Sequence, residues 1–226
     1  MNSVNAVNLI GALTYRTSKA LNVIKKGETE SEILKNVKGY KYWENMFHKN
    51  EIHLWHYPGT QNEILETWGK IQKDQLSAIK RYPAILNYQN IRQERGRKPG
   101  MSRIFYQLAI VAPVDSQWTT QQRNDNVFQY VLRPIYDEFI RQIDRSGWFE
   151  VGFDGVHHSY TEVFTTGTSY NQVIRMQYGD YLDAIQLTDL RLDVKLNMCI
   201  RDAQTIEKES RQVTDALFDI LQTYKN

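Results

Sequence analysis

The sequence is poor in several features that mark specialised classes of protein. It has one cysteine, Cys199, so no disulfide can form within the chain, which fits a reducing compartment. The longest apolar runs, such as Leu108–Pro113, are too short to cross a membrane. The first residues show no basic stretch followed by an apolar one, so we expect no secretory signal. Lys and Arg number 28 against 26 Asp and Glu, and this small net charge argues against a dedicated nucleic-acid-binding protein.

The composition of the 226 residues is that of a globular protein rich in aromatic side chains. Hydrophobic residues make up 41% of the chain, which excludes disorder because disorder requires low hydrophobicity with high net charge. The length allows one large domain or two small ones. The 14 Tyr and 5 Trp are more typical of protein interfaces than of a solvated surface.

Residues 1–60 are weakly patterned. Leu9, Ile10 and Leu13 indicate a helix that ends by Gly27, and Pro58-Gly59 indicates a turn. We interpret 1–60 as an N-terminal extension and 61–226 as one domain.

Hydrophobic spacing after residue 60 predicts an α+β fold, with a mostly antiparallel sheet flanked by helices and a C-terminal helix. Strands are predicted at Ala84–Gln89, Ile104–Ala112, Trp148–Phe153, His158–Phe164, Gln172–Tyr178 and Leu190–Ile200. Both faces of Ile104–Ala112 are largely apolar, which indicates a strand covered on both sides. The hydrophobic phase changes at Thr188-Asp189, which predicts a β-bulge.

Three helices are predicted in this region. Thr60 with Glu63, and Thr119 with Gln122, are spaced as capping boxes that open helices over Thr60–Lys80 and up to Ser146-Gly147. Pro134 interrupts the second helix and predicts a kink. Asp202 is the predicted N-cap of the last helix.

The segment between the first two strands of this region is strongly basic. Two glycines and a proline predict a mobile loop there rather than sheet. Three interpretations remain open: a solvated loop, an arm that docks on acidic groups of a neighbouring subunit, and a loop that contacts DNA phosphates without reading sequence. Five basic residues and one acidic residue give residues 92–103 a net charge of +4: Arg92, Arg95, Arg97, Lys98, Arg103 and Glu94.

Catalytic and metal-binding signatures are weak. His48, His53 and His56 match no zinc spacing, and His157-His158 would point to opposite faces of a strand. We interpret Cys199 as an inert strand residue, and Asp137-Glu138 and Asp180 with Asp183 as solvated carboxylates. No phosphate-binding glycine loop or serine elbow occurs. We therefore expect no enzyme activity, no cofactor and no metal, with a metal-dependent hydrolase using the three N-terminal histidines as a minor alternative.

Several short motifs occur in a suggestive order. They are Tyr82-Pro83-Ala84-Ile85, the hairpin residues Arg92, Glu94, Arg95 and Gly96, the helical Pro134-Ile135-Tyr136 within Val131–Glu138, and Asp183–Leu190. In this order they resemble the head–tail neck and tail-terminator proteins of tailed bacteriophages, including crAss-like phages of Bacteroidetes-type hosts. The resemblance covers about residues 61–200.

The resemblance implies a tail-terminator-like fold and a non-enzymatic virion protein. Such a protein forms a ring of its own copies, twelve-fold near the portal or six-fold on a long tail, and joins portal, neck or tail proteins. DNA passes through its lumen, so non-specific contact with packaged DNA is expected, and no membrane is involved. Assembly would take place in the host cytoplasm. The alternative is a phage-encoded nucleic-acid-binding module that uses Arg95, Arg97, Lys98 and Arg103.

Overall fold

The computed structural model describes residues 5–32, 35, 51–64, 82–95, 100–115, 117–153, 155–164, 181–195 and 200–223. These ranges contain four α-helices, one π-helical segment and six strands, which confirms the α+β prediction. In chain order they are α1 (Ala6–Leu21), β1 (Trp55–Gly59), β2 (Ala84–Arg95), β3 (Met101–Val114), α2 (Thr120–Arg123), a π-helical segment (Asn124–Leu132), α3 (Arg133–Arg145), β4 (Phe149–Glu150), β5 (His157–Val163), β6 (Tyr181–Lys195) and α4 (Ile200–Thr223).

The six strands form one mixed, mostly antiparallel sheet. The strand order is β1-β2-β3-β6, and β4 and β5 both pair with the outer edge of β6, one after the other. Only β1 and β2 run parallel; every other pair is antiparallel. The predicted sheet with flanking helices is therefore confirmed, including the helix at each end of the chain.

The β2–β3 hairpin is longer than its composition suggests. Glu94 pairs with Arg103 and Arg95 with Ser102, so the strands continue to Arg95 and resume at Met101. The prediction of a loop over 92–103 is wrong for these residues, because regular pairing with β3 satisfies the backbone despite the basic side chains. Residues 96–99 lie outside the described ranges.

The N-terminal part of the chain belongs to the main core. In α1, Leu9, Ile10 and Leu13 are fully buried, and the Tyr106 hydroxyl of β3 donates to the Ala6 carbonyl over 2.9 Å. The described parts of residues 1–60 therefore supply a helix to the main core and, through β1, a strand to the sheet. Pro58-Gly59 lies in β1 rather than in a turn, as proline is tolerated on an edge strand.

The helices cover one face of the sheet. Gly11 lets α1 approach α4 closely, because a Cβ at this position would overlap the Ser210 hydroxyl. The residues of this main core come from α1, α3, α4, the π-helical segment, the segments just before β1 and β4, and the inward side chains of β2, β3, β4 and β6. No helix in the described ranges is long and apolar enough to cross a membrane.

A second, smaller apolar cluster covers one half of the opposite sheet face. Its members share outward positions on four strands or lie next to them: Trp55, Tyr57, Ile64, Tyr82, Ala84, Leu86, Ala109, Val111, Leu182 and Ala184. The other half of this face, around Phe105 and Gln107, is polar and open, and Gln107 is exposed. The prediction that the second strand is covered on both sides therefore holds only for its C-terminal half.

Both capping boxes are present. The Glu63 carboxylate accepts a hydrogen bond from the Thr60 amide at 2.7 Å. At the second box, the Thr119 hydroxyl accepts from the Gln122 amide, and the Thr119 amide donates to the Gln122 side chain. Only residues 61–64 of the first predicted helix are described, and the strand predicted at 172–178 lies outside the described ranges.

The predicted interruption at Pro134 takes the form of a π-helical segment. The Arg133 amide donates to the Phe128 carbonyl, five residues back, which widens the helix just before the proline ring. The helix then ends at Arg145, with Gly147 in a left-handed conformation at φ 70°, as Ser146-Gly147 predicts. The last helix begins at Ile200, so Asp202 lies in its first turn rather than at the N-cap.

Candidate functional site

The predicted bulge in β6 is confirmed. Thr188 and Asp189 together lie opposite Gln107 of β3, and Asp189 has a φ of 53°. Aspartate adopts this left-handed conformation more readily than most residues. The extra residue explains why Leu187 and Leu190 both face the helical core.

Two further irregularities lie beside this bulge. The register of β2 against β3 shifts between Tyr88 and Arg92, and the register of β5 against β6 shifts between His157 and Ser159. Bulges re-aim side chains and often flank binding sites. Here they border a cavity of about 540 Å³ on the open half of the sheet face.

A row of residues crosses this open face on four neighbouring strands. Arg92 of β2 lies opposite Phe105 of β3, which lies opposite Arg191 of β6, which lies opposite His157 of β5. The guanidinium carbons of Arg92 and Arg191 are 4.1 and 5.7 Å from the centre of the Phe105 ring. The ring therefore supports two cations on the wall of the cavity.

The next row contains paired charges. Arg103 donates to both oxygens of Asp193, over 2.7 and 2.8 Å. The hydrogen bond to Asp193 raises the pKa of Arg103. Arg92 forms an exposed ion pair with Glu94 at 2.9 Å. Arg103 and Asp193 lie two residues nearer the tip of the hairpin than Phe105 and Arg191.

Strand β5 is attached to α3 by a polar cluster. Arg133 donates to both carboxylate oxygens of Glu162, over 2.7 and 3.0 Å, and these bonds lower the pKa of Glu162. The Tyr136 hydroxyl lies 2.8 Å from His158 Nε2, and His158 Nδ1 donates to the Val156 carbonyl. These two contacts fix the orientation of the His158 ring.

The basic hairpin residues do not form one patch. Arg92 and Arg103 share the open sheet face, whereas Arg95 points to the helical side and donates to Gln93 at 3.3 Å. Arg97 and Lys98 lie outside the described ranges. Phe105 and Arg191 also belong to this row, but the sequence did not predict them as site residues. Only the pairing of the strands shows that they lie on the same face as Arg92 and next to it.

Of the three N-terminal histidines considered as a minor alternative, two are described. His56 is buried, with Nδ1 3.0 Å from the Thr214 hydroxyl and Nε2 3.3 Å from the Asn87 side-chain nitrogen. Burial lowers the pKa of His56 to about 3. His53 packs on Trp55, and His48 lies outside the described ranges, as does Cys199. Within the part of the chain that the structure describes, no three His, Cys, Asp or Glu side chains could hold a metal ion.

The structure contains a buried ion pair that the sequence does not predict. Asp183, interpreted above as solvated, is fully buried on the helical side of β6 and pairs with Arg123, which is 5% exposed. Arg123 Nε donates to Asp183 Oδ2 over 2.9 Å. An aspartate between Leu182 and Ala184 in a strand is the only sequence signal, and it does not reveal the partner.

No family model matches this chain, and no curated protein or solved structure is significantly similar to it.

Proposed function

We propose that this protein is a structural component of a bacteriophage virion, which assembles with its own copies into a ring at the head–tail junction or upper tail. The observation that carries the proposal is a pair of strand edges, on opposite sides of one sheet, with which no described residue pairs. β1 pairs only with Ala84–Tyr88, so no described residue pairs with the outer edge of β2 from Gln89 to Arg95. On the far side, no described residue pairs with the outer edge of β5.

Open strand edges present unpaired backbone donors and acceptors, which favour pairing with another chain. The two edges differ in sequence, so one edge of a copy would meet the other edge of its neighbour. Such a head-to-tail contact closes into a ring when the rotation between copies allows it.

The side chains beside the two edges are complementary. Phe153, in the turn between Gly152 and Gly155, is fully exposed, and Tyr160 of β5 is 39% exposed. Exposed aromatic side chains are common interface anchors. The β2 edge carries Arg95, an exposed arginine, and a guanidinium group stacks well on aromatic rings.

The position in the virion rests on the motif order described above. In this proposal the rings contain twelve copies near the portal or six on a long tail, contact portal, neck or tail proteins, and surround packaged DNA. The protein acts by shape and docking rather than by catalysis.

Replacing Phe153 with serine is expected to weaken self-association about tenfold or more, because the variant removes the most exposed aromatic residue of the proposed contact. Light scattering coupled to size-exclusion chromatography over a concentration series measures the effect. Ile24→Ser is the matched control, since Ile24 is 52% exposed but lies after α1, away from both edge strands in the sequence. Equal weakening in both variants would contradict the proposed contact.

The same concentration series, together with a DNA-binding measurement, distinguishes ring assembly from the alternative function of nucleic-acid binding. A protein that stays monomeric and binds DNA tightly, with affinity that falls steeply with salt, would favour the nucleic-acid-binding module. Peptide mass spectrometry of purified phage particles tests the location, because a neck component must be present in every particle.

A further inference from the structure

We propose that the open half of the sheet face is a binding site for a linear anion that carries two or more phosphate groups. The site consists of Arg92, Arg191 and His157 around Phe105, with Ser159 and Gln107 at its border. It lies within a single copy of the chain, so it does not depend on ring formation.

Arg191 favours an anion in this cavity. Arg92 also lines the cavity but pairs with Glu94, and the lining includes one carboxylate, that of Asp189. Among the residues that the structure describes, Arg191 has no acidic partner, while its guanidinium lies 5.7 Å from the centre of the Phe105 ring. A cation without a counter-charge on the wall of a cavity is a ready contact for an anionic ligand.

The length of the row favours several phosphate groups over a single carboxylate. Arg92 and His157 are separated by three strand spacings, roughly 14 Å at about 4.8 Å per strand. One carboxylate occupies a single guanidinium fork. A chain of phosphates can reach Arg92, Arg191 and His157 together, and the Ser159 hydroxyl and Gln107 amide can donate to further oxygens.

The aligned bulges create the space for such a ligand. Thr188 and Asp189 lie opposite Gln107 alone, so the sheet departs from regular pairing where the cavity forms. Phe105 supports the arginines rather than a base, because the Arg92 guanidinium already lies over its ring. Recognition would therefore proceed through phosphate oxygens and be indifferent to base identity.

Two sources can supply this chemistry: a free nucleotide and the backbone of a nucleic-acid strand. Calorimetric titration of the full chain at low salt, with tripolyphosphate, ATP and a twelve-residue oligothymidylate in turn, distinguishes them. A nucleotide site binds ATP more tightly than the oligonucleotide, and a strand site shows the reverse order. Saturable binding of any of the three probes, lost in the variant below, supports the proposal.

Arg191→Gln is expected to weaken binding of the best probe about tenfold or more, because it removes a charged fork from the centre of the row. Arg191→Lys should lose less, since it keeps the charge. Arg145→Gln is the matched control, an exposed arginine in the last turn of α3, on the helical side of the sheet. Absence of saturable binding by the unchanged chain, or equal losses in Arg191→Gln and Arg145→Gln, would overturn the proposal.

Discussion

Replacing Asp183 with asparagine is expected to lower the free energy of unfolding by about 3–5 kcal/mol, because it leaves the Arg123 guanidinium buried without its counter-ion. The pair joins the end of α2 to the inner face of β6, where neither side chain has access to enough water to be solvated. Urea unfolding monitored by tryptophan fluorescence measures the change.

A double variant distinguishes the loss of the ion pair itself from the cost of burying a charge without its counter-ion. Replacing Arg123 with methionine and Asp183 with leucine removes both charges and is expected to recover most of the loss, since apolar residues can replace a buried ion pair at little cost. The matched control is Arg211→Ala, which breaks an exposed pair with Glu207 on α4 and should cost less than about 1 kcal/mol. A similar small loss in Asp183→Asn would contradict the buried pair.

Acid is expected to destabilise the protein through His56. Burial lowers its pKa to about 3, whereas an unfolded histidine titrates near about 6.5, so protonation favours the unfolded chain throughout this window. The stabilising contribution is complete above pH 6.5 and is lost as the pH falls towards 3. Between pH 6.5 and pH 4 the free energy of unfolding should fall by about 3 kcal/mol from this group alone.

The local contacts give a reason for the neutral ring. With the Asn87 side-chain nitrogen donating to Nε2, a protonated imidazole would place two donors against each other. Denaturant unfolding at a series of pH values, compared between the unchanged chain and His56→Gln, measures the effect. The stability difference between the two should shrink by about 3 kcal/mol on acidification from pH 6.5 to pH 4. A parallel pH dependence, or a His56 ring resonance that titrates near pH 6.5 in the folded protein, would contradict it.

Local signals in the sequence predicted local structure well. The capping boxes at Thr60 and Thr119 and the bulge at Thr188-Asp189 follow from residue types that favour one backbone geometry, and each is present. The sequence does not predict which distant segments pair in the sheet. β1 joins the sheet by parallel pairing with β2, and nothing in the five residues Trp55–Gly59 identifies that partner.

The candidate site was predicted only in part for the same reason. The basic composition of residues 92–103 indicates a charged hairpin, but composition does not tell which side of a strand each residue occupies. Strand pairing separates Arg95 from Arg92 and brings Arg92 into one row with Arg191, which is 99 positions later in the chain. The charge of the sequence thus predicts a basic surface, and the register of the strands determines which arginines share it.

The two proposals use different parts of the same sheet. Assembly uses the outer edges of β2 and β5 together with the side chains of Phe153, Tyr160 and Arg95, while anion binding uses the side chains on the open face between these edges. Phe153→Ser should therefore leave phosphate binding unchanged, and Arg191→Gln should leave self-association unchanged.

Electron cryo-microscopy of the purified chain at micromolar concentration tests the proposed assembly most directly. We expect closed rings in which the Gln89–Arg95 edge of one copy lies against β5 of the next, with Phe153 buried at the contact. Monomers at every concentration, or two-fold dimers that bury the same edge on both copies, would contradict head-to-tail assembly.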